Sequence, residues 1–186
     1  ACATDSHSPS TEDVGQWQQT AEKLTTLLKE EKFRETENLT KTKIAELLEN
    51  ANDTEENDTL IKYARQILSI SYYNYLKSKQ FRSGIEYMDS LSQIPFIHEN
   101  CKHELLSARA SMHQMYGDNK QAIELADEYL QLPDYEDADR FIPQAEIISG
   151  VYIYSGNDIP QAIRILEKAM KAYRQGGKYR NMLRIM

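Results

Sequence analysis

Few of the side chains in this sequence could do chemistry. The histidines are His7, His98, His103 and His113, the cysteines are Cys2 and Cys101, and only His98, Cys101 and His103 fall close together. A structural zinc ion asks for about four N or S ligands, and a catalytic one for three plus water. Asn100 is expected to cap a helix beginning near Cys101, so Cys101 and His103, two residues apart, would point to different sides of it. The three read as surface histidines beside a partly buried thiol. Glu30-Glu31 and Glu55-Glu56 stand at helix ends or in loops with no partner to shift their acidity, which makes them solvated charge rather than an acid/base pair. The chain has no glycine-rich phosphate loop, nucleophile elbow or His-Glu-x-x-His pattern. No enzymatic activity, metal or cofactor is expected.

Cys2 reads differently. Ala1-Cys2-Ala3-Thr4-Asp5-Ser6 resembles the junction of a bacterial lipoprotein, where the signal peptide is cut just before a cysteine that is then lipidated. Residues 1–10 are small and polar with Pro9 near the end, the composition of a flexible leader or tether. The alternative is that Cys2 is the chance remnant of an ordinary leader. Either origin implies an extracytoplasmic bacterial domain, periplasmic or held at a membrane through Cys2 or through segments outside the chain.

The chain has 186 residues, with 29 acidic against 22 basic side chains and a net charge of −7. That balance argues against a nucleic-acid partner, whose phosphates call for clustered Lys and Arg. With 40% apolar residues the chain can bury a core, yet no run of about 18 apolar residues occurs. Seven glycines and five prolines are too few to punctuate a small β-sandwich or barrel, so the expected class is all-α. Ser10 and Asp13 form a capping pair for a first helix carrying Trp17, Leu24, Leu27 and Leu28 to about Glu31. A second runs from Phe33 to Leu48 and stops at the breaker cluster after Asn50. A third, from about Leu60 to Leu76, breaks at Ser78-Lys79, and a fourth, with Ile85, Met88 and Leu91, ends ahead of Pro95.

Aligning the breaks uncovers a period. Residues 79–86, 117–124 and, with one residue inserted in the turn, 156–163 overlay, and Gln161-Ala162-Ile163 repeats Gln121-Ala122-Ile123 letter for letter. The small residues Gly84, Ala122 and Ala162 then act as anchors where the second helix of a pair approaches the first. They are 38 and 40 residues apart, and a weaker first copy places Thr36 at the anchor, 48 residues before Gly84. Gly117-Asp118, Ala122, Ala126 and Pro133, with Tyr152, Gly156-Asn157, Ala162, Leu166 and Ala169 in the next copy, resemble the tetratricopeptide repeat (TPR) family. The resemblance spans roughly residues 14 to 175. It departs from the family in its longer period, in the lack of a small anchor in the first unit, and in Arg109 where a Leu is usual. It implies a right-handed α-solenoid over residues 11–175, made of about four helical hairpins. Gly176-Gly177 followed by Tyr179, Met182, Leu183 and Met186 predicts that 176–186 begins the first helix of a fifth, truncated unit. A fragment of a longer protein is therefore expected.

In such an array the first helix of each pair lines the concave face. The resemblance puts Gln66, Ser69, Tyr73, Leu76 and Lys77 there in the second unit, Glu104, Ser107, Ser111, Gln114 and Met115 in the third, and Glu146, Gly150, Ile153 and Tyr154 in the fourth. The strongest candidates for a partner-binding groove are Gln66, Tyr73, Lys77, Ser111, Met115, Glu146 and Tyr154. Their mixture of aromatic, polar and apolar groups suits a peptide or protein segment. The Lys/Asn clamp with which TPR co-chaperones hold acidic C-terminal tails is missing, since its places read Ser69, Ile70 and Tyr73, then Ser107, Ala108 and Ser111. The resemblance implies a non-catalytic interaction or sensor segment, similar to TPR regions of bacterial membrane-associated regulators. A TPR-containing surface lipoprotein that binds glycan or nutrient is the alternative, although Trp17 is the sole tryptophan available as a sugar platform.

Overall fold

The structure is a computed structural model of the chain and describes residues 11–51, 58–133 and 138–175. The leader with Cys2, the Glu55-Glu56 pair and the terminal segment 176–186 lie outside the described residues. Among the described residues all regular structure is helical. The elements are α1 (Thr11–Lys29), α2 (Phe33–Ala51), α3 (Asp58–Ser78), α4 (Phe81–Ser92), α5 (Pro95–Asn100), α6 (Lys102–Tyr116), α7 (Asn119–Leu130), α8 (Ala138–Tyr154) and α9 (Ile159–Gln175). No described helix is long and apolar enough to cross a membrane.

The described residues divide into two compact units, one within 11–83 and 90–102, the other within 84–89 and 103–175. In the first, α1, α2 and α3 pack on one another. Leu24 and Leu27 of α1, Ile44 and Leu47 of α2, and Leu60, Ala64, Ile67 and Leu68 of α3 are buried, all at three- and four-residue steps. Trp17 stacks on Tyr63 at 5.8 Å, with the Lys43 ammonium 5.9 Å from the indole centroid. In the second unit one continuous core joins Leu106 and Ala110 of α6, Ala122, Leu125, Ala126 and Tyr129 of α7, Ile142, Ala145, Ile148, Val151 and Tyr152 of α8, and Ala162, Ile165 and Ala169 of α9.

Four turns share one backbone device. Glu31, Lys79, Gly117 and Asn157 have φ of 58°, 59°, 96° and 49°, and each stands five residues before Thr36, Gly84, Ala122 or Ala162. In three of them the next backbone N–H reaches back to the carbonyl five residues earlier: Lys32 to Leu27 at 3.0 Å, Gln80 to Tyr75 at 3.1 Å, and Asp118 to His113 at 2.9 Å. This is the Schellman closure, which satisfies carbonyls left open at a helix C-terminus. In the fourth, Asp158 bonds Tyr152 at 3.0 Å, six residues back, as the inserted residue requires. All four anchor residues are buried. Thr36 fills its place without being small because its hydroxyl donates to the Lys32 carbonyl at 2.9 Å.

Two sequence expectations are corrected. Between α4 and α6 the chain forms the short helix α5, with Pro95 in its first turn, where a missing N–H costs nothing, and Ile97 buried. Asn100 does not cap α6: its amide nitrogen donates back to the Phe96 carbonyl at 2.9 Å, and its own carbonyl accepts the Arg65 Nε–H at 2.8 Å. Arg109, out of place by the repeat pattern, pairs with Asp89 at 2.6 Å within the second unit.

Candidate functional site

The candidate binding residues sit on α3, α6 and α8. On α3, Gln66, Tyr73 and Lys77 are seven and four residues apart, hence on one face, and all three are exposed, Tyr73 by 41%. The Tyr73 ring lies against Tyr72 at 4.9 Å between centroids. An open cavity of about 260 Å³ lies in the same unit, lined by Ala21, Glu22, Thr25, Thr26 and Lys29 of α1 and by Gln66 of α3. The Thr25 and Thr26 hydroxyls donate to the Ala21 and Glu22 carbonyls at 2.8 and 3.0 Å, which leaves their oxygens able to accept.

These α1 residues escaped the sequence analysis, and the turn supplies the signal that finds them. Aligning Glu31 with Lys79 brings Ala21, Thr25 and Lys29 onto the places of Ser69, Tyr73 and Lys77. One wall of the cavity is therefore made by the α1 residues that correspond in register to the predicted groove face of α3.

In the second unit Met115, Glu146, Ile153 and Tyr154 are exposed, Tyr154 by 74%. Ser111 is not: it retains 6% exposure, and Glu104 and Ser107 are buried with it. The reason is the make-up of α6, which is buried on nearly every side from Glu104 to Met112. Its small Ser and Ala side chains let neighbours approach from several directions, and Ser107 donates to the Gln144 side chain of α8.

Two tyrosine–carboxylate links join neighbouring helices. Tyr75 of α3 donates to Glu37 of α2 at 3.0 Å, and Tyr152 of α8 donates to Asp127 of α7. Tyr75 and Tyr152 are also the residues whose carbonyls close the following turns. Glu37 is held below the usual carboxylate range, chiefly by the Lys41 ammonium 2.6 Å away and further by Tyr75, against the opposing effect of burial. Burial, followed by the bond to Asp127, pushes the Tyr152 phenol well above its usual value.

His98 is exposed and Cys101 is fully buried. His103 places Nε2 2.9 Å from the Pro133 carbonyl, with its ring edge-on to Tyr129 at 5.6 Å. Among the described residues no group of three or more His, Cys, Asp or Glu is placed to hold a metal ion. No protein-family model matches the chain, and no curated protein or solved structure is significantly similar to it. Its function is therefore read from its own residues.

Proposed function

We propose that this chain is a TPR-like array of helical hairpins that binds an extended peptide or protein segment along the face formed by the first helices of its pairs, without catalysing a reaction. The observation that carries the reading is the cavity between α1 and α3, whose lining includes Ala21, Thr25 and Lys29 in register with Ser69, Tyr73 and Lys77, together with Gln66 itself. Its lining alternates hydrogen-bonding and charged groups at helical spacing: Glu22 and Lys29 lie two turns apart on α1 and face Gln66. Such an arrangement matches the alternating main-chain amides and side chains of an extended segment. Placement in the extracytoplasmic space as part of a larger signalling protein rests on the lipoprotein-like junction at Cys2 and on the family resemblance.

The test is selection of a random peptide library on the full chain, followed by calorimetry of the selected peptide. Gln66→Ala and Lys29→Ala are expected to weaken it by about tenfold each and Tyr73→Ala by a similar factor. Binding unchanged by all three removes the groove from the reading, and strong hits on a glycan array in place of peptides favour the lipoprotein alternative.

A further inference from the structure

We propose that the outer face of α9 is a second docking surface, built to receive an acidic amphipathic helix from a partner. α7 supplies the template within the same unit. With Ala122 matched to Ala162, the stripe Asn119, Ile123, Ala126, Leu130 of α7 corresponds to Ile159, Ile163, Leu166, Met170 of α9. On α7 much of that stripe is engaged: Ala126 is buried and Ile123 and Leu130 are half-buried, while Asn119 is exposed. Ser155 donates to the Asn119 side chain at 2.9 Å, and Gly156 comes so close to Ile123 that a Cβ on it would lie 2.9 Å from the Ile123 terminal methyl. Ala126 is fully buried, and Leu130 packs against the core shared with α8 and α9.

On α9 all four corresponding places are apolar, yet Ile159 and Ile163 are 53% and 49% exposed, and Leu166 and Met170 remain half-buried. Their spacing of four, three and four residues forms a straight apolar stripe beside the buried row of Ala162, Ile165 and Ala169. Such a stripe is the half of a helix–helix contact that a groove-binding amphipathic helix completes.

Charge selects the occupant. The exposed charges flanking the stripe on the side away from the core are Arg164, Lys171 and Arg174 against Glu167, a net positive rim. An acidic helix complements it. The chain's own following residues carry Lys178, Arg180 and Arg184, the same sign as the rim. A second copy would offer its own α9 stripe, but that pairing brings two rims of the same positive sign together.

Two designed peptides of about 18 residues, long enough for a helix, test this by calorimetry on the full chain. Both carry the same Leu/Ile face, one flanked by Glu and the other by Lys. The Glu peptide is expected to bind at least about tenfold more tightly than the Lys peptide, and to lose about tenfold or more on Ile163→Glu. Lys171→Glu is expected to reduce the preference between the peptides and to leave the helical content unchanged, as is Ile163→Glu, because neither side chain belongs to the core. Equal binding of the two peptides, or no effect of Ile163→Glu on the Glu peptide, overturns the proposal. So does a wild-type dimer that Ile163→Glu converts to monomer in sedimentation, because a second copy is then the occupant. Binding that appears only after removal of 176–186 overturns it too, because the chain then covers its own stripe.

Discussion

Replacing Lys79 by glycine should make the protein more stable. Lys79 closes the turn between α3 and α4 at φ 59°, where an L side chain costs roughly 1–2 kcal/mol because Cβ crowds the following carbonyl. Glycine removes that strain but is harder to order, by about 0.5–1 kcal/mol relative to alanine. The difference leaves an expected gain of about 0.5–1 kcal/mol, or about 1–4 °C in Tm for a chain of this size. The backbone bonds of the turn, Lys79 to Leu76 at 3.3 Å and Gln80 to Tyr75 at 3.1 Å, do not involve the side chain and survive the change. Gly117→Ala is the mirror experiment. At φ 96° with nothing within 4 Å of the new Cβ, its expected loss of about 1–2 kcal/mol is backbone strain alone. Denaturant unfolding reads both. Trp17, stacked on Tyr63 in the same unit as Lys79, reports the first by fluorescence, and far-UV circular dichroism reports the second. If Lys79→Gly lowers stability, or Gly117→Ala leaves it unchanged, these residues are not held in the left-handed region and the register built on them fails.

Gly156→Ala pushes a methyl to 2.9 Å from Ile123 Cδ1 and 3.2 Å from the Tyr152 carbonyl. A loss of about 1–3 kcal/mol is expected, and Ile123→Val in the same chain should recover part of it in a double-mutant cycle. Because the folded chain holds Tyr152 protonated above its ordinary pKa of 10.0, the unfolded chain releases that proton first. Its contribution is fully present below about pH 10 and is lost as pH rises further through the folded value. Tyr152→Phe should therefore be less stable at neutral pH, by about 0.5–1.5 kcal/mol, and show a flatter alkaline limb in Tm against pH. A limb as steep as wild type would show that the phenol is not the responsible group. Glu37 works at the acid end: its pKa lies below 4.5, so its contribution is present above that value and lost as pH falls through the folded one. By NMR titration, Lys41→Met should raise the Glu37 pKa more than Tyr75→Phe does, and the reverse order would show that the tyrosine is the main holder.

Much of the helical outline was legible because its punctuation is chemical. Gly117-Asp118 and Gly156-Asn157 announce themselves, since glycine and asparagine tolerate positive φ and an aspartate beside them caps the next helix, as Asp118 does for Gln121 at 3.3 Å. Glu31 and Lys79 hold the same conformation with no letter to betray it, and only the spacing to Thr36 and Gly84 exposes them. α5 was missed because Pro95 reads equally as the stop of one helix and the first residue of another. The exposure of the candidate residues on α3 and α8 was legible from spacing, whereas the burial of Ser111 was not. Periodicity assumes one buried face per helix, and α6 is buried on several. The α1 wall of the cavity was overlooked for a related reason: with Thr36 in place of a small anchor, the first register was not carried back onto α1.

The unequal spacings of 48, 38 and 40 residues between Thr36, Gly84, Ala122 and Ala162 follow from where a helix–turn–helix can absorb an insertion. Between the left-handed residue and the anchor the chain passes through a helix cap and the first turn of the second helix. Backbone bonds there fix the start of the second helix: Ala122 donates to Asp118 at 3.0 Å and Ala162 to Asp158 at 3.1 Å. One added residue in that stretch would rotate the anchor by about 100° around the helix axis and carry it out of the core. The fourth turn has accepted its extra residue on the other side, between Tyr152 and Asn157, where the bond from Asp158 simply spans six residues instead of five. The five-residue interval holds in all four turns, while helix lengths and the connections between pairs vary freely. A hairpin of this kind is thus identified more securely by the distance from its left-handed residue to its buried anchor than by the letters at either place.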